Sequence, residues 1–403
     1  MNVLIQPGTA RGTVAAPPSK SMAHRLLICA ALSEGESTVY GVDRSEDILA
    51  TSDCLSALGA SLNWEGTTVH IKGCDPRRSG PAVLNCRESG STLRFMIPLC
   101  MLSGNPMILK GSPTLLSRPL SVYEDLCRDR GLTFTRTEEG LLVQGRLTSG
   151  EYTVPGSISS QFITGLLFAL PLLDGESRIR LLPPVESGSY LSLTLQALQD
   201  AGVQVSTPDE YTLDIAGNAA FSARCTEVEG DYSNAAFFDA LNSIGGEVTV
   251  TGLREDSLQG DRVYQDYFSR LVKGPTELDL TDCPDLAPVL FAVAALCRGA
   301  VFTGTRRLRF KESDRGAVMA LEMAKFGITL ETEENRIIVP AGSIHAPEEL
   351  LDSHNDHRIA MALSLLCTRT GGEIHCAEAV RKSFPDYWQK LQSLGIDVSI
   401  LNS

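Results

Sequence analysis

The chain has 403 residues, with 35 Lys and Arg against 49 Asp and Glu, a net charge of −14. At 43% hydrophobic and 21% charged residues it has a globular and not a disordered composition, its length suggests two or three domains, and its acidity argues against a nucleic-acid partner. The longest apolar stretch, around Ala287–Cys297, is well short of the roughly 20 residues of a bilayer span. Strand-like sequence from Val3 onward leads to the expectation of no signal peptide or presequence. The eleven cysteines are odd in number, scattered through apolar segments and never spaced Cys-x-x-Cys. They read as reduced thiols of a cytoplasmic protein and not as a disulfide framework or zinc knuckle.

In chain order, one pattern occurs six times. A polar cluster opens an apolar, helix-like run: PPSKSMAHRLLICAAL, ESGSTLRFMIPLCML, GSISSQFITGLLFALPLL, EGDYSNAAFFDAL, CPDLAPVLFAVAAL and HNDHRIAMALSLL. The spacing is about 70 residues, with one shorter gap of about 54 between the fourth and fifth copies. A Gly-led strand follows each copy, as in GESTVYGV, GNPMILKGS and GGEIHCAEA. A second helix then closes on a glycine, as in DILATSDCLSALGA and YWQKLQSLGI. Two short strands complete most units, as in SLNWEGTTVHIKG. The fourth unit shows one clear strand there, ELDLTD.

The sequence therefore predicts an α/β protein of six repeated α-β-α-β-β units. The first helix of each unit is apolar nearly all round and is expected to be buried; the second is amphipathic and is expected on the outside. The polar clusters sit at the starts of the buried helices, where free N–H groups and the helix dipole favour anions. Eight cations lie at or near element starts: Lys20, Arg25, Arg94, Arg118, Lys311, Arg315, Arg358 and Lys382, with Arg118 expected to open the second helix of its unit. The dipole disfavours cations there, so together they point to a ligand carrying several negative charges.

At these residues the chain resembles the 5-enolpyruvylshikimate-3-phosphate synthase family. The motifs that carry the resemblance are PSKSMAHR, SGSTLR, GSISSQF, VEGDYSNAAFF, PDLAP, RFKESDR, NDHRIAMAL and KSFPDY, spread over the whole chain. The resemblance implies the two-domain enolpyruvyl transferase fold, with three units per domain and buried helices whose N-termini face the interdomain cleft. The first domain would run over residues 20–227. The second would combine 1–19 with 228–403. It also implies transfer of the enolpyruvyl (1-carboxyvinyl) group of phosphoenolpyruvate to the 5-hydroxyl of shikimate 3-phosphate, with no metal or organic cofactor. A cytoplasmic monomer with open and closed forms, and without nucleic acid or membrane, is the corresponding expectation.

Residue roles follow from the same resemblance. Lys20, Ser21, Arg25, Ser159, Ser160, Gln161, Ser187, Tyr190, Asp285 and Lys311 would hold shikimate 3-phosphate. Ser159 is equally readable as a helix cap. Lys20, Gly90, Arg118, Gln161, Arg315, Arg358 and Lys382 would hold phosphoenolpyruvate, Gly90 by letting the backbone come close and the arginines by matching planar anions. Arg94 and His357 would support them. Asp285 would handle the hydroxyl proton, Glu312 would serve the methylene carbon, and Lys20 would stabilise charge and pass protons. His354 and His357, in HNDH, have a spacing usable by a metal on a helix, but no third His or Cys partner is visible; metal binding is not expected.

Some positions depart from the family pattern. The phosphoenolpyruvate loop reads Glu88-Ser89-Gly90-Ser91, then Leu93-Arg94-Phe95, where Asn and Met-Arg-Pro are usual; Arg87 is a candidate to neutralise Glu88. Arg307 stands where Asn or Glu is commoner. Retained activity with altered sensitivity to glyphosate, which occupies the phosphoenolpyruvate site, is the expectation. The alternatives are a UDP-N-acetylglucosamine 1-carboxyvinyltransferase, which usually has a Cys in the loop that here reads GSPTLLSRP, and a non-catalytic binding relative, disfavoured because Asp285, Glu312 and the lysines are present.

Overall fold

The computed structural model describes residues 1–401. It divides into two compact units, Pro18–Glu229 and Met1–Pro17 with the chain from Gly230 onward. Each has its own hydrophobic core. Among the described residues no helix is long and apolar enough to cross a membrane.

The unit Pro18–Glu229 holds three four-stranded sheets of one design. In the second, strand Ala82–Asn85 pairs in parallel with Met107–Lys110, which pairs antiparallel with Gly140–Gln144 and that with Thr133–Thr137. The third repeats this with Gly150–Pro155, Ser177–Leu182, Thr212–Ile215 and Val205–Asp209. Parallel neighbours need a crossover, and the apolar helices Gly90–Cys100 and Ser160–Ala169 supply it. In the first sheet the parallel strand comes from the far end of the unit: Cys225–Glu227 lies beside Glu36–Tyr40. Each sheet thus carries one strand more than the α-β-α-β-β reading gave its unit.

The other unit follows the same design with two changes. Strand Thr276–Asp279, which overlaps ELDLTD, pairs in parallel with Ala300–Thr303, so it opens the fifth sheet and does not close the fourth unit. The fourth unit is left with Glu247–Thr251, paired in parallel with Arg11–Ala15. In the sixth sheet the N-terminal strand Asn2–Ile5 lies between Gly372–His375 and Val398–Leu401, filling the place of a hairpin strand.

The first helices of the units are Lys20–Ala31, Gly90–Cys100, Ser160–Ala169, Tyr232–Ser243, Ala287–Leu296 and His357–Thr370. They are buried along most of their length, Ala287–Ala295 without a break. Each Leu, Ile, Val or Phe so covered contributes roughly 1.5–3 kcal/mol. Ser19, Ser89, Ser159, Asp231 and Asp356 cap five of these helices with their side chains. The second helices end on glycines such as Gly59 (φ +115) and Gly395 (φ +88), a conformation L side chains rarely adopt. One second helix departs from the expected amphipathic surface type. Glu46–Ala57 buries Asp47, Thr51 and Ser52 along with its apolar residues, because its inner face meets polar side chains of two buried helices.

Candidate active site

In the unit Pro18–Glu229, the candidate residues form three groups. Lys20 is the first residue of its helix, and its Nζ donates to Asp47 Oδ2 at 2.8 Å. Behind this pair runs a buried polar chain. His24 Nδ1 meets Thr51 Oγ1 at 2.8 Å, Thr51 Oγ1 meets Thr92 Oγ1 at 2.7 Å, and Thr92 donates to Ser89 Oγ at 2.7 Å. Burial, with Lys20 and Arg25 nearby, holds the His24 imidazole well below its ordinary pKa. This chain ties the starts of the first and second buried helices to helix Glu46–Ala57.

The second group surrounds Gly90. Arg94 Nη1 donates to Gln161 Oε1 at 2.7 Å, and Gln161 Nε2 donates to Ser91 Oγ at 2.9 Å. A methyl group on Gly90 would lie 2.8 Å from Arg118 Nη1 and 3.1 Å from Arg94 Nη1, so the bare backbone is what lets both guanidinium groups approach the helix start. Arg118 does not open a helix; it follows the short helix Pro113–Ser117, with the next beginning at Ser121. Ser159 caps the third buried helix by accepting from Gln161 N, and Ser160 is that helix's first residue.

The third group centres on Arg25. It is buried, with its pKa pushed down to about 10 by that burial. Its nitrogens donate to Thr194 Oγ1 (3.0 Å), Ser21 O (2.6 Å) and Tyr190 O (2.9 Å). Arg25 therefore pins helix Gly188–Asp200 onto its own helix, and a substrate would have to share its donors. Ser187 caps that helix in a left-handed conformation (φ 59) and its carbonyl accepts from Tyr190 N. Arg87 pairs with Glu46 and Asp53 of the neighbouring helix at 2.5 and 2.8 Å, so its charge is not reserved for Glu88.

The other unit concentrates charge more tightly. Asp285 sits in the turn Pro284–Leu286, just before the buried helix Ala287–Leu296. Its carboxylate meets Lys311 Nζ at 3.0 Å, Arg315 Nη1 at 2.7 Å and Arg358 Nη2 at 3.5 Å. Burial alone would raise its pKa, but Lys311, Arg358 and Arg315 outweigh burial and hold it well below the usual carboxylate range. Burial pulls the Lys311 ammonium down, opposed by Asp285.

Arg315 is only 1% exposed, and each of its nitrogens donates to a carboxylate. Nε reaches Asp356 Oδ2 at 2.9 Å, Nη1 reaches Asp285, and Nη2 reaches Glu312 Oε2 at 2.7 Å. Burial would lower its pKa, but the three carboxylates raise it. Arg315, which the resemblance assigns to phosphoenolpyruvate, here gathers both candidate acid/base carboxylates. Arg358 is buried beside Asp285, and Lys382 Nζ donates to Asn355 O at 2.5 Å. Arg307 is buried and acts electrostatically on Lys311. His357 Nδ1 lies 3.8 Å from Asp356 Oδ1, whereas His354 Nε2 turns to Glu322 at 3.0 Å. The two imidazoles of HNDH thus face different carboxylates.

Sequence reasoning missed Asp47, Asp356 and Asp261. The available signal was a carboxylate among cations at a helix start, as in NDHR. Asp356 caps its helix, accepts from Ser313 Oγ and holds Arg315. Asp261 is a buried carboxylic acid raised to about 7, chiefly by burial and then by Asp285.

Five four-stranded sheets of this design and a shorter fourth unit, with cations near the starts of the first, second and sixth buried helices and an Asp–Lys–Glu–Arg cluster, define an α/β protein of the enolpyruvyl transferase fold. The chain belongs to the EPSP synthase family: the family description EPSP synthase (3-phosphoshikimate 1-carboxyvinyltransferase) matches residues 5–391. A 3-phosphoshikimate 1-carboxyvinyltransferase of Clostridium perfringens (strain SM101) is 38% identical, over 97% of this chain and 98% of its own. The one of Clostridium kluyveri is also 38% identical, over 98% of each, and that of Clostridioides difficile (strain 630) is 36% identical, over 97% of each. The solved EPSP synthase of Acinetobacter baumannii superposes with a TM-score of 0.79 at 25% identity, over 99% of this chain and 100% of that one.

Proposed function

We propose that this chain transfers the 1-carboxyvinyl group of phosphoenolpyruvate to the 5-hydroxyl of shikimate 3-phosphate, releasing phosphate, as a step of the shikimate pathway. The observation that carries the reading is the Asp285–Lys311–Glu312–Arg315–Arg358 cluster in a chain of this family.

The chemistry is addition followed by elimination. The hydroxyl oxygen bonds to C2 of phosphoenolpyruvate while a proton reaches its methylene carbon, making a methyl group. That methyl then gives up a proton as the C2–O bond to phosphate breaks, which restores the vinyl group. Asp285 takes the proton that the attacking hydroxyl gives up, and that proton leaves with the phosphate. Glu312, tethered to Arg315 at 2.7 Å, serves the methylene carbon. Lys20 and Lys311 stabilise charge on the phosphates, and Lys20 passes protons. Gly90, Arg118, Gln161, Arg315, Arg358 and Lys382 hold phosphoenolpyruvate, with Arg94 and His357 in support. Ser21, Arg25, Ser159, Ser160, Gln161, Ser187 and Tyr190 hold shikimate 3-phosphate. The chain works as a cytoplasmic monomer on small anions, without nucleic acid or membrane.

The test is phosphate release from purified protein without added metal. It is expected to require both substrates and to be lost in Asp285→Ala and Glu312→Gln. Release with UDP-N-acetylglucosamine as acceptor and none with shikimate 3-phosphate would replace this reading.

A further inference from the structure

Helix Arg315–Ala324 grips the segment before helix His357–Thr370 at two places. Arg315, at its start, holds Asp356. Two turns later Glu322, fully buried, accepts from His354 Nε2 at 3.0 Å, from Lys325 Nζ at 3.0 and 2.9 Å, and from Asp352 N at 3.0 Å. Lys325 also donates to Leu350 O at 2.9 Å. The buried carboxylate is thereby well supplied with donors, the condition for keeping it in a core.

The segment so gripped has an uncommon backbone. His354 (φ 50) and Asn355 (φ 55) are consecutive left-handed residues, and neither is glycine. Such residues persist where their surroundings fix them. Here the fixing contacts are the His354–Glu322 bond, His354 N to Asp352 Oδ1 at 2.7 Å, Asn355 N to Ser353 Oγ at 3.2 Å, and Ser353 Oγ to Cys376 O at 2.9 Å. What the turn delivers is the site itself. The carbonyl of Asn355 holds Lys382, Asp356 holds Arg315, and Arg358 follows two residues on.

We propose that His354 is a positioning residue for the phosphoenolpyruvate side of the site. By donating to Glu322 it locks the left-handed His354–Asn355 turn, and through that turn it sets Lys382 and Arg358. It touches no substrate. The inference rests on the reading of Lys382 and Arg358 as phosphoenolpyruvate contacts given under the proposed function.

His354 is 32% exposed, so the full chain should tolerate His354→Ala. The KM for phosphoenolpyruvate is expected to rise about tenfold, the scale of one hydrogen bond to a charged partner. The KM for shikimate 3-phosphate should stay put, and kcat should change much less. His354→Gln, whose amide can donate to Glu322, should restore most of the loss. A wild-type KM for phosphoenolpyruvate in His354→Ala would overturn the proposal. So would an equal rise in both KM values, or no rescue by Gln. If the alanine variant fails to fold, His354→Leu is read the same way. An inactive wild type would sink the functional reading alone. The rise in melting temperature on adding phosphoenolpyruvate needs no turnover and still decides this proposal: a smaller rise in His354→Ala supports it, and an equal rise overturns it.

Discussion

Arg315 and Asp356 meet through two hydrogen bonds, Nε to Oδ2 at 2.9 Å and Nη2 to Oδ1 at 3.3 Å, with both side chains buried. The pair joins the start of one helix to the cap of another. It leaves the remaining guanidinium donors to point at Asp285 and Glu312. Whatever fixes this pair therefore fixes the distance between the two candidate acid/base groups.

Asp356→Asn should expose that dependence. The amide keeps the shape but turns one acceptor into a donor facing Arg315. Breaking a buried, paired charge costs about 3–5 kcal/mol, so a clear drop in the urea midpoint is expected, with a loss of transfer of about 100-fold or more. Arg315→Lys should not preserve activity, because a single ammonium cannot reach three carboxylates at once. A fully active Arg315→Lys variant would show that the fork is dispensable.

Asp261 gives the fold a pH dependence of stated sign. Burial first, and Asp285 next, raise its carboxyl from 3.8 to about 7. A group whose folded pKa is raised contributes stability that is present below its unfolded pKa and lost as pH rises through the folded one. Asp285 runs the other way: its contribution is present above about pH 4 and is lost only as pH falls through its depressed folded value. Asp261→Asn stays neutral and should remove the loss between about pH 4 and 7, so that it is the more stable protein at pH 8. Melting curves of the two proteins that stay parallel from pH 4 to 8 would refute the assignment.

How much of this was legible in the sequence depends on the range of the interactions. Helix starts are written locally: Ser19, Ser89 and Ser159 announce their caps, and Gly59 and Gly395 announce helix ends. Strand partners are not. ELDLTD reads as a strand from its own residues, but only the distant Ala300–Thr303 decides that it opens the fifth sheet, and nothing near Asn2–Ile5 says that it pairs with Gly372–His375. The site divides in the same way. The cations at Lys20, Arg315 and Arg358 stand out because a helix start disfavours them. Their carboxylate partners lie 27, 30 and 41 residues away in sequence in the Lys20–Asp47, Arg315–Asp285 and Arg315–Asp356 pairs. The charge of Arg315 is therefore legible in the sequence, and its three carboxylate partners as a set are not.

Gly90 is expected to tolerate almost nothing larger without a functional effect. A Cβ there meets the ends of two flexible side chains, Arg118 and Arg94, and no backbone. Gly90→Ala should fold with a melting temperature near that of wild type. Arg118 must swing away, so a rise of several-fold in KM for phosphoenolpyruvate is expected, on the scale of about 1 kcal/mol. Arg118→Ala measured beside it supplies the comparison: if Gly90→Ala acts through Arg118, the double variant should be little worse than Arg118→Ala alone.

Glu88 lies two residues before Gly90 and is half-buried immediately ahead of the Ser89 cap. Gly90, two residues on, adjoins Arg118 and Arg94, the cations that the resemblance assigns to phosphoenolpyruvate and its support, so Glu88 adds negative charge to the approach to that helix start. Arg87 is shared between Glu46 and Asp53, so it is not reserved for Glu88. Phosphoenolpyruvate and glyphosate are both anionic, but they differ in shape and in where their charges lie. Glu88 should therefore weigh on the two unequally. Glu88→Asn is expected to keep transfer activity while changing the ratio of the glyphosate inhibition constant to the KM for phosphoenolpyruvate by several-fold, about 1 kcal/mol of differential interaction. Measuring both constants at two ionic strengths separates the electrostatic part, because a contribution from a half-exposed charge shrinks with salt. An unchanged ratio at both would mean that Glu88 is sensed equally by the two ligands or by neither, and that glyphosate sensitivity in this chain is set elsewhere, with Phe95 and Arg307 the next residues to revert.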